Sequence, residues 1–141
     1  MMYTIQQKVP IYYAGTRGPV ILCLHGAGHS AMSFACIAHF LKPTYQIISF
    51  DFRGHGHNKS PDEANMAQST LINDTDEVMN FLMKKYSDFS FVILGHSMGG
   101  AIATKFVEKA LLFPSCKYIE NIKGVCFIST HCRRCGRRNS P

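Results

Sequence analysis

The sequence predicts an α/β fold, a mainly parallel sheet flanked by helices. Short, largely apolar runs recur at residues 20–24, 46–50, 89–94 and 122–128, that at 20–24 being continuous. Each is too short for a helix and lacks the polar alternation of a half-exposed strand, so each reads as a buried strand. Longer stretches with helical spacing separate them, at residues 32–41, 64–86 and 98–112. Strand–helix–strand order requires crossover connections, and crossovers leave neighbouring strands parallel.

The elements follow in order. Residues 3–13 are rich in β-branched and aromatic side chains but contain Pro10, which fits an edge strand or a hairpin leading in. Residues 16–19 form a turn. Ser30 is placed to cap the helix over 32–41, and Pro43 lies just past its end. Residues 51–60 form a glycine- and histidine-rich loop. The stretch 64–86 carries Met66, Leu71, Val78, Phe81, Leu82 and Tyr86 at roughly helical spacing. The helix over 98–112 ends before Pro114. In such sheets, sites lie beyond the carboxyl ends of the strands. Residues 25–30, 51–60 and 95–100 all follow strands.

A length of 141 residues allows one domain. With 46% hydrophobic and 17% charged residues, the chain falls in the globular class and outside the disordered one. Net charge is +6, but Arg133, Arg134, Arg137 and Arg138 lie in the last nine residues, and without them the balance is +2. The body therefore carries no basic signature of a nucleic-acid or membrane partner. The reading is a domain over 1–130 and a basic, disordered tail over 131–141. Six cysteines lack the dense spacing of a secreted disulfide scaffold, and Cys23 and Cys126 sit inside apolar runs. Gln6, Gln7 and Lys8 occupy the place of a signal-peptide core, and no run reaches the length of a membrane span. A cytoplasmic or nuclear location is expected, with no cofactor and no metal.

The chemistry centres on Gly95-His96-Ser97-Met98-Gly99, a G-x-S-x-G pattern between a predicted strand and a predicted helix. A sharp strand-to-helix turn lifts Ser97 above the sheet as a nucleophile. Gly95 and Gly99 let backbones approach closely, and the helix directs its first N–H groups and positive dipole end at the same place. Alone, the pattern is better explained by a chance glycine-rich turn. A second element supports it: His25-Gly26-Ala27-Gly28-His29 follows the first buried strand, as an oxyanion loop would. The backbone N–H groups of Ala27 and Met98 are the expected donors to a tetrahedral intermediate, one such donor lowering a barrier by ~3 kcal/mol. His25, Gly26 and Gly28 support the loop as Gly95 and Gly99 support the serine.

Together with Asp51-Phe52-Arg53-Gly54-His55-Gly56, these motifs resemble the α/β-hydrolase superfamily. The first loop and the run from Gly95 to Ala103 are similar to the protein phosphatase methylesterase family in particular, over about residues 20–128. The resemblance implies a partial α/β-hydrolase fold and a serine carboxylesterase. Its implied substrate is the methyl ester on the C-terminal leucine of the type 2A protein phosphatase catalytic subunit, which would then be the partner.

A serine hydroxyl needs a base, and the base an orienting carboxylate. The family supplies them in the order Ser, acid, His. After Ser97 this sequence offers Glu108, Glu120 and His131. Glu108 is expected to face solvent mid-helix, and Glu120 to precede the last strand at its wrong end. The resemblance puts Ser129 where the family has Asp, and the family's His comes after strands this sequence does not contain. The sequence is thus expected to be a truncated, N-terminal part. His131 reads first as a tail histidine and second as a substitute base; His96 is expected to point away from Ser97 and pack structurally. Cys132 and Cys135, beside His131, read as an incidental tail pair before they read as metal ligands. Asp51 is expected to bind loop backbone, with an orienting catalytic role as the alternative. Two functions stay open: a serine ester hydrolase, or a catalytically impaired fragment acting, if at all, as a phosphatase-binding module whose last strand is an exposed parallel edge.

Overall fold

The computed structural model describes residues 2–5, 9–62, 64–113, 116 and 118–129. The proposed tail over 131–141, with His131, Cys132 and Cys135, lies outside them.

The first two strands, β1 (Met2–Ile5) and β2 (Val9–Ala14), form the expected hairpin. Val20–Leu24 is β3, followed by a 3₁₀ turn at Ala31–Phe34 and α1 (Ala35–Leu41). Then come β4 (Gln46–Phe50), α2 (Gln68–Lys85), β5 (Phe91–His96), α3 (Met98–Leu112) and β6 (Ile122–Ile128). The sheet order is β1-β2-β4-β3-β5-β6. Strands β4, β3, β5 and β6 run parallel, and the β1–β2 hairpin is added antiparallel on β4. Pro10 is accommodated near that edge, opposite Thr4.

Alternation along the strands divides the core into two layers. Val20, Leu22 and Leu24 of β3 join Ile93 of β5, Leu71, Val78, Met79 and Leu82 of α2, and Ile102, Ala103 and Phe106 of α3. Cys23 and Ile47 face the other way, against Phe34, Ile37 and Leu41 of the first helical segment. Among the described residues no helix is long and apolar enough to cross a membrane.

Four expectations are corrected. Ser30 makes no side-chain capping bond; the Ala31 N–H is instead taken by Asp51 Oδ1 at 2.7 Å. The helix expected from residue 64 begins at Gln68. Asn65 Oδ1 accepts the Ala67 N–H and the Thr70 hydroxyl, both at 3.3 Å, and this local alternative competes with helical hydrogen bonding. Strand β5 runs to His96 rather than Leu94 because Gly95 pairs with both Leu24 and Phe127. Finally, β6 has its expected bounds but is not buried: Phe127 is 53% and Ile128 37% exposed, and Cys126 is exposed. It pairs with β5 and forms the sheet edge among the described residues.

Candidate active site

Ser97 stands between the end of β5 and the first residue of α3, with φ 51° and ψ −117°. A positive φ in a residue with a β-carbon is strained, and the surroundings hold it there. The Ser97 N–H donates to the Ile128 carbonyl at 3.0 Å, and its own carbonyl accepts the Gly100 N–H at 3.0 Å. A β-carbon on Gly99 would lie 2.1 Å from the Leu24 carbonyl oxygen. The side chain of Ser97 is exposed, and among the described residues none hydrogen-bonds its hydroxyl.

The first loop meets this turn at Gly26. A β-carbon there would come within 3.1 Å of Ser97 Cβ and 3.0 Å of His96 Nδ1, so the glycine is what allows the two loops to touch. Gly28 has φ +72°, a conformation that suits glycine. Of the amides at 27–29, His29 donates to the Gly26 carbonyl at 3.1 Å and Gly28 to His55 Nε2 at 3.0 Å. The Ala27 amide has no acceptor among the described residues. The Met98 N–H begins α3 and has no preceding helical carbonyl to bind.

Two buried or half-buried imidazoles tie this loop to residues 51–58. His25 Nε2 accepts the Phe52 N–H at 3.0 Å, while its Nδ1 lies 2.9 Å from the Gly26 carbonyl. A ring whose Nε2 accepts must carry its proton on Nδ1, so His25 is neutral and donates to Gly26. His55 has the same form, Nδ1 donating to the Arg53 carbonyl at 3.0 Å. Burial pushes the His25 pKa below 6.5, against a smaller upward push from its bond to Gly26.

Asp51 binds backbone, as expected. Its Oδ2 accepts the His57 N–H at 2.9 Å and the Tyr12 hydroxyl at 3.1 Å, in addition to the Ala31 bond. Arg53 grips Asp74 of α2 through two bonds of 2.7 and 2.6 Å, which fastens the loop to the helix layer. His96 packs edge-on to His29, ring centroids 5.1 Å apart. Glu108 pairs with Lys105 on the exposed face of α3, and Glu120 precedes β6 at the end away from Ser97; neither is brought to the serine. The sequence reading missed His55 as the acceptor for the Gly28 amide. The only sequence signal was its place between two glycines in the loop. A groove of about 440 Å³ lined by Tyr13, Phe34, Ala38 and Ile47 lies between β2 and α1 and does not include Ser97.

Residues 19–137 match the alpha/beta hydrolase fold family. The chain is 34% identical over 122 residues to protein phosphatase methylesterase 1 from Bos taurus, covering 84% of this chain and 30% of that protein. It is similar to a solved marine microorganism esterase (TM-score 0.66, 27% identity, covering 85% of this chain and 41% of that one). The thioesterase domain from the curacin biosynthetic pathway shares the fold at 20% identity, with a TM-score of 0.72 over 92% of this chain and 45% of that one. The chain spans about three-tenths of the length of the curated relatives it matches. With the strand order, the strained serine between β5 and α3 and the family match in agreement, the chain belongs to the alpha/beta hydrolase fold family.

Proposed function

We propose that this chain carries the nucleophile and oxyanion elements of a serine carboxylesterase. Ser97 Oγ attacks the ester carbonyl, and the amides of Ala27 and Met98 bind the oxygen that becomes negative. As the tetrahedral intermediate collapses, the alcohol leaves and takes up a proton. Water then attacks the acyl-serine, releasing the acid and restoring the hydroxyl. The observation that carries this reading is the strained Ser97 at φ 51° with Gly26 packed against its β-carbon. Similarity to protein phosphatase methylesterase 1 supports a protein C-terminal methyl ester as substrate. The resemblance in the motifs supports the type 2A phosphatase catalytic subunit as the partner that bears it. Among the described residues no imidazole hydrogen-bonds Ser97, so the proton acceptor in this proposal is a group beyond them. A fluorophosphonate probe tests the nucleophile: wild type is expected to label, and labelling no greater than that of Ser97→Ala overturns the reading.

The exposed β6 edge favours a second reading, a non-catalytic binding fragment. Phe127 and Ile128 offer apolar surface on a strand that has only β5 as a neighbour among the described residues, an edge of the kind that invites pairing. Amide exchange separates the two: uniform, cooperative protection that includes β6 in a monomer speaks against the fragment reading.

A further inference from the structure

The two loops around Ser97 exchange hydrogen bonds in opposite directions. His25 of the first loop accepts a backbone N–H from Phe52 of the second. His55 of the second accepts a backbone N–H from Gly28 of the first. The two rings lie 5.1 Å apart, and each is held as the Nδ1–H form by a carbonyl of its own loop. Neither bond belongs to the sheet or to a helix. They join segments 27 residues apart.

We propose that His55 is a positioning residue for the oxyanion loop and that, with His25, it forms a reciprocal latch which holds only while both imidazoles are neutral. By taking the Gly28 amide, His55 removes that donor from the site and leaves the Ala27 amide as the loop's donor. An imidazolium has no acceptor nitrogen. Protonation therefore sets a ring N–H against a backbone N–H, on either side of the latch. Among the described residues, the titratable and charged groups around the pair are His29 on the first loop, Asp51, Arg53 and His57 on the second, Tyr12 on β2, and His96 at the end of β5, which packs against His29 and Gly26. The Asp51 carboxylate already binds Ala31, His57 and Tyr12, and the Arg53 guanidinium is turned to Asp74. Neither takes part in the latch bonds. Protonation of either ring thus loosens the loop.

The inference about positioning rests on Ser97 being the nucleophile; the latch itself does not, and two readouts separate them. The first is the Gly28 amide resonance and the ring nitrogens of His25 and His55, followed from about pH 7.5 to about pH 5.5. The second is the rate of fluorophosphonate labelling over the same range. His55→Phe keeps a flat ring but no acceptor; His55→Gln keeps an acceptor oxygen that does not titrate. The Gly28 resonance is expected to move on acidification of wild type and in His55→Phe. Labelling of His55→Phe is expected to fall on the order of tenfold to a hundredfold, the effect of a misplaced group. His55→Gln is expected to recover most of the rate and to weaken its decline towards low pH. A Gly28 resonance indifferent to both pH and His55→Phe overturns the latch. A moving resonance with wild-type labelling and an unchanged pH profile in His55→Phe overturns the positioning role. Should wild type label no more than Ser97→Ala while the resonance behaves as expected, the latch stands and the esterase reading falls.

Discussion

A β-carbon on Gly95 would sit 2.5 Å from the α-carbon of Gly100. The strand end and the helix start therefore touch backbone to backbone, and the bend that carries Ser97 depends on it. Gly99 is as tightly placed against the Leu24 carbonyl. Gly124 in β6 has nothing within 4 Å of its missing β-carbon. Gly95→Ala and Gly99→Ala are each expected to destabilise by about 3 kcal/mol, the upper range for forced overpacking. Gly124→Ala is expected to be neutral or to stabilise by up to about 1 kcal/mol by restricting the unfolded chain. Urea unfolding midpoints check this; equal losses at all three glycines would contradict it.

The strain at Ser97 makes a second prediction. A φ of 51° with ψ −117° costs any residue with a β-carbon on the order of 1–3 kcal/mol. Glycine adopts positive φ freely, though it loses more chain entropy on folding. Ser97→Gly is expected to be more stable than both wild type and Ser97→Ala, by about 1 kcal/mol after that entropy loss. Thermal unfolding of the three proteins measures it. A Ser97→Gly variant no more stable than Ser97→Ala would mean the bend is unstrained.

Much of this was legible in the sequence because short apolar runs between turn residues leave a local trace. Val20–Leu24, Gln46–Phe50, Met98–Leu112 and Ile122–Ile128 have the bounds the sequence predicts. The touching of Gly26 and Ser97 was legible too, since each lies in a glycine motif after a parallel strand. What escaped is non-local. The edge position of β6 was part of the fragment reading, but the exposure of its Phe127 and Ile128 side chains was not, because a run of apolar residues does not encode which parts of a sheet are covered. The start of α2 turned on Asn65, a single side chain outcompeting the periodic pattern. The bonds from His25 and His55 cross between loops, and no spacing rule foreshadows which amide an imidazole takes.

Cys23 is wholly buried between α1 and the sheet. Burial alone pushes its thiol up to about 12. Alkylation proceeds through the thiolate, so Cys23 is expected to resist iodoacetamide in the native protein at about pH 8. Cys36 and Cys126, both exposed, are expected to react. Mass spectrometry of the labelled protein, with and without urea, reads the difference. Native labelling of Cys23 as fast as Cys36 would show that the α1 layer opens.

His25 sets the last expectation, on stability against pH. Its folded pKa is lowered by burial below the 6.5 of an unconstrained histidine. Between the lowered value and 6.5 the unfolded chain therefore binds more protons than the folded one. Stability tied to the neutral ring is present above pH 6.5 and is lost as pH falls through that window. Below the folded value both states are protonated and the loss levels off. Carboxylates add their own acid dependence, so the comparison must be with a variant. His25→Asn lacks the titration, and its stability is expected to fall less than that of wild type when pH drops from about 7.5 to about 5.5. Urea unfolding at the two pH values gives both differences. Parallel losses in the two proteins would mean that His25 gains its proton as readily folded as unfolded, and that burial does not hold it neutral.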